Sequence, residues 1–278
     1  MTAAAGALIE AERADARLNP LAVTRLLVHG RAAARSVVLF HGFTNCPQQM
    51  AELGALFFAR GWNVLVPRLP RHGCADRLTT AIAGLTAAEL EACADRAFVW
   101  AQGLGDAVDV MGISLGGVLA AWIAQVRPAR TALALSPFFA LPVVPVVLSD
   151  ALVAPMCALP PYFVWWDPRV RAACRPDHAY PRFPTTALGQ CLALGRQVRT
   201  AARSAPPCAR RIVVATNAQE PACNNAATAH LAARWSSAGG DVESHVLADV
   251  GRRHDIVEPE TFPQSRKLVY PRILDWIA

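Results

Sequence analysis

Charge is scarce in this chain. Only 17% of its 278 residues are Asp, Glu, Lys or Arg, against 54% that are hydrophobic. That balance excludes a disordered chain and calls for a large buried core. Lysine is almost missing: Lys267 is the single one, so the net charge of +6 is carried by arginine. The arginines form no run longer than a pair, such as Arg210-Arg211 or Arg252-Arg253. Without a clustered basic face, nucleic-acid binding is not expected. The eight cysteines make no C-x-x-C pair and no cysteine–histidine set with zinc spacing. They read as small buried hydrophobes in a reducing compartment. An unbroken apolar stretch of membrane-spanning length is also missing. The longest, 132–149 (ALALSPFFALPVVPVVLS), is interrupted by Pro137, Pro142 and Pro145 and starts as a strand. The first twenty residues have neither a basic start nor a long apolar block, and carry Glu10 and Glu12 early, unlike a signal peptide. The expectation is a cytoplasmic globular protein.

What is present is an alternation of strands and helices. Residues 36–40 (SVVLF), 63–67 (NVLVP), 107–111 (AVDVM) and 131–136 (TALALS) are short apolar runs of the kind buried on both faces of a sheet. Between them, 47–61 places Met50, Leu53, Leu56 and Phe57 on one helical face, with Gly61 set to end the helix. A second helix, 86–102, opens with Thr86 and Glu89 at capping-box spacing. A third follows Ser114. The rhythm stops at Pro137 and resumes near 209, with a strand at 211–217, a helix at 224–235, a strand at 242–248 and a final helical segment that Pro271 bends or restarts. Repeated strand–helix units predict an α/β fold with a mostly parallel sheet flanked by helices. Residues 1–136 and 209–278 form the expected core, and 137–208 an insertion.

Gly112-Ile113-Ser114-Leu115-Gly116 lies where a strand meets a helix. A strand, G-x-S-x-G and a helix together make a nucleophile elbow, a turn so tight that only glycine fits on either side of the serine. A serine hydroxyl needs a base, a group to orient the base, and donors for an oxyanion. His41-Gly42-Phe43 follows an early strand, so the Phe43 N–H and the Leu115 N–H are the candidate donors, with His41 itself structural. His254, in a loop after the last strand, is the candidate base. Among the other histidines, His29 and His245 fall in expected strands, His230 in a helix and His178 in the insertion, and His72 in LPRHG is the main rival. Glu220 is the one carboxylate in the loop after 211–217 and the candidate orienting acid, with Asp249 and Asp255 as alternatives.

These residues resemble the α/β-hydrolase superfamily, particularly small bacterial carboxylesterases and monoacylglycerol-lipase-like members. The resemblance rests on HGFT, LPRHG, GISLGG, the acid loop at Glu220 and RHD, and on the order serine, acid, histidine. Two features depart from it: the acid is more often aspartate, and the chain before SVVLF has room for only one or two strands. The resemblance implies a catalytic triad of Ser114, Glu220 and His254, no metal and no cofactor. It implies hydrolysis of a small-molecule carboxylic ester through an acyl-enzyme. The insertion is expected to cap the site, and Phe138, Phe139, Tyr162, Phe163, Trp165 and Trp166 would give it an apolar wall suited to an acyl chain or aromatic ester. Arg252 and Arg253 beside His254 raise the thought of an acidic substrate, with solvated arginines as the plainer reading. The alternatives are a thioester, amide or carbon–carbon bond hydrolase on the same residues, a non-catalytic ligand-binding relative, and a lipase working at a membrane surface through its cap. Oligomeric state is not indicated.

Overall fold

The computed structural model describes residues 2–278. Seven strands form the central sheet: β1 (Arg25–Leu27), β2 (Ala33–Phe40), β3 (Asn63–Val66), β4 (Gly105–Ile113) and β5 (Thr131–Leu135), and after an excursion β8 (Arg211–Asn217) and β9 (Val242–Leu247). Their order across the sheet is β1-β3-β2-β4-β5-β8-β9. β1 runs antiparallel to β3, and every other pairing is parallel. The central strands are apolar throughout because helices cover both faces. Val38 and Phe40 of β2 point into one core, shared with α3 (Ala87–Gln102), α4 (Leu115–Val126), α6 (Thr185–Ser204) and α7 (Asn225–Ser237). Val37 and Leu39 point into the other, shared with α2 (Ala51–Ala59), α8 (Ser265–Leu268) and α9 (Tyr270–Ile277). The two-residue period of a strand thus divides one sequence between two cores.

Local signals act where they were expected. The Thr86 hydroxyl accepts the Glu89 N–H at 3.2 Å and the Glu89 carboxylate accepts the Thr86 N–H at 2.9 Å, closing the capping box on α3. Pro271 sits in the first turn of α9, so it restarts the helix. One expectation fails, and one element was not foreseen. His29 lies just beyond β1, not in a strand, and stacks on Phe58. The first residues form a helix, α1 (Thr2–Ala14), that composition did not reveal. It buries Ala5 and Ile9, and its Glu12 accepts the Thr24 N–H at 2.7 Å and pairs with Arg68 at 3.0 Å.

Between β5 and β8 the chain forms α5 (Val146–Ala158), a small antiparallel pair β6 (Phe163–Trp165) and β7 (Arg182–Pro184), and then α6. α6 packs on both α5 and the core helices α3, α4 and α7. Among the described residues no helix is long and apolar enough to cross a membrane.

Candidate active site

Because the sheet is parallel, the loops after β2, β4, β5, β8 and β9 all leave from one edge, and each brings a residue to the same place. At the end of β4, Ser114 has φ 58° and ψ −119°, a conformation an L residue adopts at a cost of about 1–3 kcal/mol. The surroundings hold it there. Its N–H donates to Leu135 O at 3.0 Å, and its carbonyl accepts from Val118 at 3.0 Å and Phe138 at 3.2 Å. The flanking glycines are a matter of space. A β-carbon on Gly112 would lie 2.1 Å from Gly116 O, and one on Gly116 would lie 2.1 Å from Phe40 O. Those atoms belong to α4 and β2 and move only with their elements. Gly116→Ala is therefore expected to cost at least about 3 kcal/mol, read as a lower Tm. An unchanged Tm would show that the helix and strand are free to separate here.

His254, from the loop after β9, makes a 2.7 Å hydrogen bond from Nδ1 to Glu220 Oε1, from the loop after β8. The Glu220 side chain is fully buried and its second oxygen, Oε2, has no hydrogen-bond partner. Burial opposes the Glu220 charge, but the bond from His254 outweighs it and holds the carboxyl below its usual range. Burial likewise opposes protonation of His254, and the Glu220 carboxylate bonded to Nδ1 acts against it and raises the ring above its ordinary range. The buried Cys223 thiol lies 3.8 Å from His254 Nδ1 and donates to Ser136 O at 3.2 Å. Burial pushes this thiol up, so it stays protonated. Ser114 and His254 line one cavity of about 540 Å³, and no hydrogen bond joins their side chains among the described residues.

The loop after β2 faces Ser114. A β-carbon on Gly42 would sit 3.7 Å from Ser114 Cβ. The Gly42 N–H is taken by Gln49 Oε1 at 2.7 Å, whereas the Phe43 and Leu115 N–H groups donate to nothing else among the described residues. Gln49 also donates through Nε2 to Asp255 Oδ2 at 2.7 Å, tying this loop to the histidine loop. Asn217 ties the histidine loop to the acid loop, donating to Gly251 O and Arg253 O at 2.8 and 2.7 Å. Gln49, Asn217 and Cys223 were not singled out from the sequence. They carry no motif and meet their partners across long separations.

The rivals are placed elsewhere. Asp249 forms a surface ion pair with Arg272 at 2.7 Å, and Asp255 faces Gln49 and the Val257 and Glu258 N–H groups. His72 is buried edge-on to His41 and donates from Nδ1 to Pro70 O, and burial lowers its pKa to about 4. His41 Nε2 accepts the Leu69 N–H at 3.2 Å, a structural role. Arg253 bonds Val250 O and lies over Phe262, so it offers the cavity no charge. Of the six aromatics expected as the apolar wall, Phe138 and Trp166 line the cavity, Phe139 is core and Tyr162 is exposed. Phe163 and Trp165 lie beneath the Arg182 guanidinium. Phe43, Tyr180 and Phe183 complete the wall.

The sheet order, the elbow and this loop cluster define a class, and the sequence profile of the alpha/beta hydrolase family matches residues 37–263. The chain belongs to that family. A thermostable monoacylglycerol lipase of Bacillus sp. (strain H-257) is 31% identical over 94 residues, which cover 33% of this chain and 36% of that lipase. Among solved structures, one from work on the metagenome-derived lipolytic enzymes LipS and LipT superposes with a TM-score of 0.71 at 20% identity, covering 94% of this chain and 98% of that one. The monoacylglycerol lipase of Paleococcus ferrophilus gives 0.67 at 17%, covering 91% and 97%. At these identities the likeness is one of fold.

Proposed function

We propose that the protein is a serine hydrolase that cleaves carboxylic esters of apolar acyl or aromatic acids through an acyl-enzyme. The observation that carries this reading is the 2.7 Å His254–Glu220 bond beside a strained Ser114, at the wall of an apolar cavity. Ser114 Oγ attacks the ester carbonyl after a turn of its side chain toward His254, whose Nε2 takes the proton. The charge passing to the carbonyl oxygen is met by the Phe43 and Leu115 N–H groups. His254 returns its proton to the leaving alcohol and then activates water, while Glu220 fixes the Nδ1–H tautomer and stabilises the imidazolium. No cofactor enters any of these steps. The relatives named as lipases agree with an ester substrate.

Residues 137–208 act as the cap in this reading. Two contacts bind the cap to the loop after β2: Trp166 Nε1–H donates to Thr44 Oγ1 at 2.9 Å, and the Tyr180 N–H donates to Thr44 O at 2.8 Å. A cavity of about 540 Å³ holds a medium acyl chain or an aromatic acid. The test is hydrolysis of nitrophenyl esters from acetyl to palmitoyl. Turnover with a maximum at intermediate length is expected, and no turnover on any ester would overturn the reading. Trp166 lines the cavity, and removing its ring enlarges it, so Trp166→Ala should raise kcat/KM for long over short esters by about tenfold. Trp166→Phe keeps the wall and should leave the preference in place. Equal preferences in all three proteins would remove Trp166 from the acyl site.

A further inference from the structure

Glu220, Cys223 and His254 also form a cluster of metal-ligating atoms. A carboxylate oxygen, the thiol sulfur and an imidazole nitrogen lie within 4.8 Å of one another. The Cys223 Sγ to His254 Nδ1 separation is 3.8 Å and the Nδ1 to Glu220 Oε1 separation 2.7 Å. In a tetrahedral zinc site, bonds of about 2.0–2.3 Å put neighbouring ligand atoms about 3.3–3.6 Å apart. The two observed separations bracket that range, and small side-chain shifts would bring the three atoms to the spacing of a ligand set. A second observation points the same way. The Glu220 side chain is fully buried, and while Oε1 accepts from His254 and the Ala222 N–H, Oε2 has no hydrogen-bond partner. A cation beside the carboxylate would give that oxygen one.

We propose that Glu220, Cys223 and His254 form a site for a thiophilic divalent cation of the zinc type, and that filling it switches the hydrolase off. Sulfur and imidazole ligands select zinc and its soft relatives over magnesium or calcium. Pro221, Ala222 and His254 line the cavity beside the thiol, which gives a cation its route in. Binding forms a sulfur–metal bond and releases the thiol proton to solvent, so no oxidant or reductant is needed. The cation also takes the Nδ1 lone pair, which moves the ring proton to Nε2. With Nε2 protonated, His254 has no lone pair to accept the Ser114 proton. The inhibitory half of this inference rests on the reading of His254 as general base, and the site itself does not.

The test is a titration with cobalt(II), then zinc(II), on the wild-type protein, Cys223→Ala, and Cys174→Ala as a control for the other cysteine at the cavity wall. Cys223→Ser serves if the alanine variant folds poorly. A thiolate-to-cobalt absorption band is expected in the wild type and in Cys174→Ala, displaced by zinc and missing from the Cys223 variants. Ester turnover should fall as zinc fills the site and return with a chelator. The Cys223 variants, each referred to its own metal-free rate, should need about tenfold more zinc or higher. No band in the wild type, a band that persists without Cys223, or equal zinc sensitivity in all proteins would overturn the site. A Cys223-dependent band in a protein with no ester turnover would support the site and overturn the hydrolase reading instead.

Discussion

Ser114→Ala is expected to lower ester turnover by about 10⁴–10⁶-fold, or about 5–8 kcal/mol of transition-state stabilisation. In the proposed mechanism the substitution removes the one oxygen that forms the covalent bond. It leaves the Phe43 and Leu115 N–H groups, the His254–Glu220 bond and the cavity wall in place. What remains is binding and oxyanion stabilisation, worth about 10³–10⁴ over water. Binding of a non-hydrolysable ester analogue should therefore be unchanged while turnover is lost. Ser114→Gly separates chemistry from strain. At φ 58° a glycine is at ease where alanine is not, so this variant should be equally inactive yet about 1 kcal/mol more stable than Ser114→Ala. A serine-directed phosphonate should label the wild type and neither variant. Turnover that survives in Ser114→Ala would place the nucleophile elsewhere and leave the backbone strain without a purpose.

The parts legible in the sequence are those whose cause is local. β2, β4, β5 and β8 are buried on both faces, so apolar runs betray them, and the elbow glycines are dictated by contacts within a few residues and one neighbouring strand. The parallel order then does the rest: once the strands are known, Ser114, Glu220 and His254 must emerge from one edge. The illegible parts have distant causes. β1 is three residues whose pairing with β3 is set by tertiary contact, and α1 is an alanine-rich segment whose place is fixed by contacts of Glu12 with Thr24 and Arg68. Gln49 meets Asp255 across 206 positions, and no period or spacing announces such a meeting.

The aromatic residues of the insertion show a different limit. Composition says that Phe138, Phe139, Tyr162, Phe163, Trp165 and Trp166 want apolar surroundings, but not which. The fold sends Phe139 to the core, lays Phe163 and Trp165 against Arg182, and leaves Phe138 and Trp166 at the cavity. The Trp166 indole is fixed by its polar end, through the bond to Thr44, which is how an amphipathic ring is placed at a boundary. Sequence reasoning identified a cap-like composition, whereas the direction each ring faces depends on partners in β7 and in the loop after β2.

Glu220→Gln tests the least conventional member of the site. The amide keeps the size of the carboxylate and one acceptor oxygen, so neither packing nor the ring's position should change much. The negative charge is gone, and the amide N–H₂ can turn toward Nδ1. In that arrangement Nδ1 accepts, Nε2 carries the proton, and the base faces Ser114 in the wrong tautomer. kcat should fall by about 10³–10⁴-fold with KM little changed. The residual activity carries a second signature. Protonated His254 cannot take the Ser114 proton, so activity is lost as pH falls through the ring's pKa. The Glu220 carboxylate raises that pKa against the effect of burial, so the acid limb of kcat/KM in the wild type should be displaced upward by it. Without the Glu220 anion the limb should move down. Stability at neutral pH should fall, because a Glu220 carboxyl held below its usual range is one whose ionised form the folded protein favours. A loss under tenfold with an unmoved acid limb would remove Glu220 from the site. Asp249 and Asp255 would then have to leave Arg272 and Gln49 to replace it, breaking contacts of 2.7 Å in each case.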